Sequence, residues 1–84
     1  MPRRATVWVN PKDYKHVGAA LASARERAGL TQQQLAKLLR KPQSFVSNYE
    51  RGQHRIDVLE LLRIVEVLRD NPRRIFTDIL HRRH

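Results

Sequence analysis

The run LTQQQLAKLLRKPQSFVSNYERG, residues 30–52, reads as two short helical segments divided at Arg40-Lys41-Pro42. This break constrains the fold more than any other feature of the chain. Pro42 bars the residue before it from helical geometry, so the first segment must stop there. Thr31 is a good N-cap for that segment, with Gln34 at the N3 position of a capping box. Leu35, Leu38 and Leu39 supply its apolar face, and the small Ala36 lets another helix approach closely. In the second segment Val46 and Tyr49 lie one turn apart on an inner face, and Gly52 ends it.

Helical signals continue on both sides of this pair. Asn10-Pro11 is a helix start, because Asn caps and Pro suits the first helical position. Tyr14, Val17, Leu21, Ala24 and Ala28 then recur at helical spacing, and Gly29 closes the element. Gly18 falls inside this stripe, where glycine costs about 1 kcal/mol relative to alanine. Asp57 caps a fourth helix whose Val58, Leu61, Leu62, Val65 and Leu68 form the strongest stripe in the chain. Asn71-Pro72 opens a fifth, with Ile75, Phe76, Ile79 and Leu80 before a basic end. The expectation is an all-α domain over residues 11–84, with helices at about 11–28, 31–39, 43–51, 57–69 and 72–82. Residues 1–10 form a short N-terminal arm carrying Arg3, Arg4 and the β-branched, aromatic stretch Thr6-Val7-Trp8-Val9.

Charge narrows the function. The 84 residues carry a net charge of +9, which attracts polyanions such as nucleic acid. From Thr31 to Arg55 the basic residues Lys37, Arg40, Lys41, Arg51 and Arg55 face a single acid, Glu50. That clustering favours a phosphate-facing surface. The chain has no cysteine, so it has neither a disulfide framework nor a thiolate metal site, consistent with a cytoplasmic protein. No apolar run reaches the roughly 18 residues of a membrane span. The arm's apolar stretch is too short for a signal peptide. Ser44 and Ser47 lack a His/Asp constellation, there is no Gly-rich phosphate loop, and the four histidines do not cluster with acids. No catalysis, metal or cofactor is expected.

Two helices of about eight residues that cross steeply put the second in the DNA major groove, N-terminal residues toward base edges. With Val46 and Tyr49 turned inward, Gln43, Ser44, Ser47 and Asn48 turn outward. Gln and Asn bind adenine bidentately and Ser reaches several bases. A face built only for solubility more often carries Glu and Lys, which are better helix formers.

Leu30-Thr31-Gln32, Leu35-Ala36, Val46-Ser47 and Tyr49-Glu50-Arg51-Gly52, in register without a gap, resemble the helix-turn-helix of the Xre/Cro family of bacterial and phage repressors. The resemblance covers about Tyr14 to Leu68. It implies a phage-repressor-like five-helix fold and sequence-specific binding of double-stranded DNA. It also implies Gln43, Ser44, Ser47 and Asn48 as base readers, and Gln32 as a phosphate ligand that braces Gln43. Arg51 and Arg55 match backbone-contacting positions, and Arg40 and Lys41 join them at the turn. Glu50, which would repel DNA if it faced outward, resembles the family's partner for a helix-one arginine, here Arg25.

The chain departs from the family pattern at three positions. Arg40 stands where Gly is common, Pro42 replaces a Ser or Thr cap, and Phe45 is large near the groove, packing on Tyr49 or touching a thymine methyl. The leading reading is a homodimeric, cytoplasmic, nucleoid-associated repressor on a near-palindromic operator, paired through helix 72–82, the arm, or both. Trp8 either covers the domain's own core or meets a second subunit. Two other readings stay open: the antitoxin of a toxin–antitoxin pair, and an interaction adaptor that has lost sequence-specific binding.

Overall fold

The computed structural model describes residues 9–83. The arm residues 1–8, with Arg3, Arg4 and Trp8, lie outside them, as does His84. Five α-helices follow in order: α1 (Lys12–Arg27), α2 (Gln32–Leu39), α3 (Gln43–Glu50), α4 (Val58–Leu68) and α5 (Pro72–Arg83).

Local chemistry sets the starts. Asn10 Oδ1 accepts from the Lys12 N–H at 3.0 Å, so Asn10 caps α1 from just outside it. At α2 the Thr31 hydroxyl accepts from the Gln34 N–H (3.1 Å) while Gln34 Oε1 accepts from the Thr31 N–H (2.9 Å). Asp57 and Glu60 make the same reciprocal pair at α4, at 2.8 and 3.0 Å. Asn71 Oδ1 accepts from the Arg73 N–H at 2.9 Å to open α5. Pro42 leaves α3 without a side-chain cap.

The ends follow one plan. Each of α1 to α4 turns off through a left-handed residue: Gly29 (φ 73°), Arg40 (58°), Gly52 (77°) and Arg69 (55°). In each case that residue and the next donate back into the last turn, the two-bond arrangement that satisfies orphan carbonyls. At α2 these are Arg40 N–H to Lys37 O (3.1 Å) and Lys41 N–H to Ala36 O (3.0 Å). At α4 they are Arg69 N–H to Glu66 O (3.0 Å) and Asp70 N–H to Val65 O (3.1 Å). The turn between α2 and α3 is thus built on a left-handed backbone with arginine in the usual place of glycine.

The core gathers Leu21, Ala24, Leu35, Ala36, Val46, Tyr49, Leu61, Ile64, Val65, Leu68 and Ile75. The face of α4 differs from the one read from sequence. Leu61, Ile64, Val65 and Leu68 are buried, whereas Val58 and Leu62 are exposed. Leu38 is also exposed, leaving Leu35 and half-buried Leu39 as the inner face of α2. Periodicity gives the buried side through Leu61, Val65 and Leu68, and packing, including that against α2, sets its edges at Ile64 rather than Val58 and Leu62.

Gly18 is a contact point, not a weak spot. A Cβ there would sit 2.5 Å from the Glu50 carbonyl oxygen and closer still to that of Tyr49. The C-terminal end of α3 therefore rests directly on the α1 backbone. Gly52, just beyond α3, makes the reciprocal approach, since a Cβ there would lie 2.7 Å from the Lys15 backbone nitrogen.

Candidate nucleic-acid interface

With Val46 and Tyr49 buried, α3 turns its other side away from the core. Gln43 and Ser44, in its first turn, are exposed. Ser47 and Asn48, one turn on, are half-buried, so the outer face is open at the start of the helix and partly covered toward its end. Asn48 Oδ1 accepts from Arg51 Nη2 at 3.0 Å, which holds that guanidinium along the same face.

A part-buried polar chain leads to this face from behind. Glu50 has only 6% of its side chain accessible and Arg25 only 13%. Arg25 Nε donates to Glu50 Oε2 at 2.7 Å and Nη2 to Oε1 at 3.2 Å, a two-pronged pair. The remaining guanidinium arm, Nη1, donates to the Leu30 carbonyl at 2.8 Å. The hydrogen bond to Glu50 outweighs desolvation and raises the Arg25 pKa above its ordinary value. Gln32 Nε2 donates to Glu50 Oε1 at 2.9 Å, and Gln43 Nε2 donates to Gln32 Oε1 at a longer 3.4 Å. Arg25, Glu50, Gln32 and Gln43 thus form one line from the α1 core to the first residue of α3. Glu50 faces in, so the single acid of the basic segment does not oppose an anion outside.

The cations lie around this face. Arg40, Lys41, Arg51 and Arg55 are exposed, and Gln32 is half-buried at the first position of α2. The Lys41 ammonium sits 5.4 Å over the Phe45 ring. Phe45 in turn meets the edges of Tyr49 and His54, with centroids 5.4 and 5.3 Å apart. Phe45 is therefore packed. The Arg55 guanidinium lies 5.1 Å over the Tyr14 ring, which ties the loop after α3 back onto α1. Sequence reasoning missed Tyr14 as that platform and Gly18 as the seat of α3. A glycine inside an otherwise regular helical stripe was the available signal for the second. Among the described residues no group of three His, Cys, Asp or Glu side chains is placed to hold a metal, and no helix is long and apolar enough to cross a membrane.

A family profile described as Helix-turn-helix matches residues 21–71, which contain α2, the turn and α3. The chain belongs to the Xre/Cro-type helix-turn-helix family. Solved structures agree. This helix-turn-helix chain is similar to the clp gene regulator ClgR of C. glutamicum, at 25% identity and a TM-score of 0.77, over 82% of this chain and 88% of that one. It is similar to the restriction-modification controller protein C.AhdI of Aeromonas hydrophila, at 31% identity and 0.70, over 76% and 97%. An XRE-family like protein of Pseudomonas syringae pv. tomato matches at 33% identity and 0.71, over 83% and 85%. A search of curated proteins gave no significant match. As a member of this family the chain is a DNA-binding transcription regulator and not an enzyme, and its nucleic-acid partner is double-stranded DNA.

Proposed function

We propose that the protein is a homodimeric, sequence-specific repressor that reads the major groove with α3. In this reading Gln43, Ser44, Ser47 and Asn48 contact base edges. Gln32, Arg40, Lys41, Arg51 and Arg55 contact phosphates and fix the register. Arg25 and Glu50 touch no DNA and act by holding Gln32. The observation that carries the reading is the line from the part-buried ion pair through Gln32 to exposed Gln43. A solvated face has no use for a brace behind its first residue, whereas a base-reading side chain loses less entropy on binding when it is already held. Two copies joined through the α5 end of the fold, the arm, or both would carry two α3 helices to half-sites one DNA turn apart.

Selection from a random duplex library near physiological salt tests this. The expected product is an inverted repeat with half-sites one turn apart. Gln43→Ala should then weaken operator binding by about 1–3 kcal/mol and leave random DNA little affected. Recovery of no motif, with binding that vanishes steeply as salt rises, would reduce the interaction to electrostatic attachment.

A further inference from the structure

Beside the interface, the turn between α2 and α3 and the first turns of α4 border a cleft of about 250 Å³. Its walls are apolar, made by half-buried Leu39 and Phe45, exposed Leu59 and buried Ile64. Two exposed cations stand on its rim, Lys41 from the turn and Arg63 from α4. The Lys41 backbone is pinned by its N–H bond to the Ala36 carbonyl at 3.0 Å, and its ammonium lies 5.4 Å over the Phe45 ring. Among the described residues no carboxylate lies within pairing distance of either cation. Glu60, an acid on the same wall, is engaged with its own helix start. Its Oε1 accepts from the Asp57 N–H at 3.0 Å, and its Oε2 stands 3.9 Å from His54 Nε2.

We propose that this cleft binds a small apolar anion, an aryl or alkyl carboxylate. Its hydrocarbon part packs against Leu39, Phe45 and Leu59, and its charge meets Lys41 and Arg63 at the rim. Burial of hydrocarbon supplies the affinity, and the two cations without a carboxylate partner select the sign of the ligand. Drug-sized ligands fill clefts of roughly 300–1,000 Å³, so a space of this volume suits a smaller molecule. A helix, about 10 Å across with its side chains, does not enter it. The wider grooves beside α5, of about 360 and 370 Å³, are apolar too, but Arg83, the cation they share, is already paired with Asp13 at 3.2 Å. Anion preference therefore belongs to the cleft at the turn. One consequence rests on the reading of Lys41 as a phosphate contact: an anion held by Lys41 takes a cation from the DNA, so ligand and DNA oppose one another by the same factor in each direction.

The full chain, isotope-labelled and without DNA, is titrated at fixed ionic strength with phenylbutanoate and, separately, with the neutral phenylbutanamide, and backbone N–H shifts are followed by NMR. The expected result is saturable shifts gathered at Leu39, Lys41, Phe45, Leu59 and Arg63, with the neutral compound bound about tenfold more weakly or worse. Arg63→Gln and Leu59→Asp, both at exposed positions of α4, should each weaken phenylbutanoate several-fold while helical circular dichroism is kept. Arg73→Gln, an exposed cation of α5 outside the cleft, should leave it unchanged. No saturation by about 10 mM overturns the proposal, as does equal binding of acid and amide. Shifts centred on Val17, Phe76 and Ile79 overturn it too, as does binding indifferent to both α4 variants. Fluorescence anisotropy on a random-sequence duplex across a salt series then reads the consequence for DNA. Saturating phenylbutanoate, against equal acetate as control, should flatten the slope of log K against log salt by about 0.9. An unchanged slope with saturable shifts intact supports the cleft and overturns the phosphate role of Lys41, so the two readings fail separately.

Discussion

Replacing Arg69 by glycine is expected to stabilise the protein, and replacing Arg40 is expected to do so by the same amount. Both arginines sit in the left-handed region, Arg40 at φ 58°, ψ 44° and Arg69 at φ 55°, ψ 38°. Both close the helix with the same two backbone bonds, at 3.0–3.1 Å. A side chain with a Cβ costs roughly 1–2 kcal/mol in that conformation. Glycine recovers this but adds freedom to the unfolded chain, which returns about 0.4–1 kcal/mol. The net gain is about 0.5–1 kcal/mol, or a rise of roughly 2–8 °C in melting temperature for a domain of this size. DNA binding should separate the two. Arg40 is exposed at the turn leading into α3, whereas Arg69 lies at the far end of α4. If Arg40 neutralises one phosphate, Arg40→Gly should flatten the slope of log K against log salt by about 0.9, while Arg69→Gly should leave it unchanged. Scanning calorimetry gives the first quantity and fluorescence anisotropy across a salt series gives the second. A variant that melts at or below the parent temperature refutes the strain argument. Equal salt slopes for the two variants refute the phosphate contact.

Three further outcomes follow from packing and burial. Gly18→Ala should cost several kcal/mol in urea denaturation, because the new methyl meets backbone carbonyls of α3 that cannot turn aside as a side chain would; a loss below about 1 kcal/mol would mean that α1 and α3 slide apart easily. Arg25→Ala should cost about 3–5 kcal/mol by leaving Glu50 buried without its partner, with Glu50→Gln losing less because it still accepts from the Arg25 side chain. Tyr49 has a buried hydroxyl with no hydrogen-bond partner among the described residues, and burial pushes its pKa well above the ordinary value near 10. The folded state therefore keeps this proton to higher pH than the unfolded chain, so stability is full below about pH 10 and falls as pH rises past it. Tyr49→Phe should be at least as stable as the parent at neutral pH and show a smaller alkaline loss in denaturation between pH 9 and 11.

How much of this was legible in the sequence depended on how far apart the partners lie. Thr31 with Gln34, Asp57, and Asn71 with Pro72 act within one turn of themselves, so the helix starts they set could be read directly. The limits of the buried side of α4 could not. Glu60, Arg63 and Glu66 mark its polar side, yet eight apolar residues leave the edges of the buried face open, and packing decides that Ile64 is buried while Val58 and Leu62 are exposed. Gly18 carried a cost on any local reading, and its use appears only when α3 lies against it. The outward residues of α3 were legible from Val46 and Tyr49, but partial burial of Ser47 and Asn48 is a property of the assembled domain.

The two glycines at the crossing of α1 and α3 make the recognition helix a lever. Gly18 and Gly52 fix α3 at its C-terminal end, backbone against backbone. Gln43 stands seven residues away, about 10 Å along the axis at 1.5 Å per residue. A tilt of only about 5° at the pivot displaces the Gln43 backbone by roughly 1 Å, a third of a hydrogen-bond length. The aim of the exposed end is thus set by how closely two backbones meet at the buried one. A methyl group added at position 18 would be felt at position 43 even in a molecule that still folds.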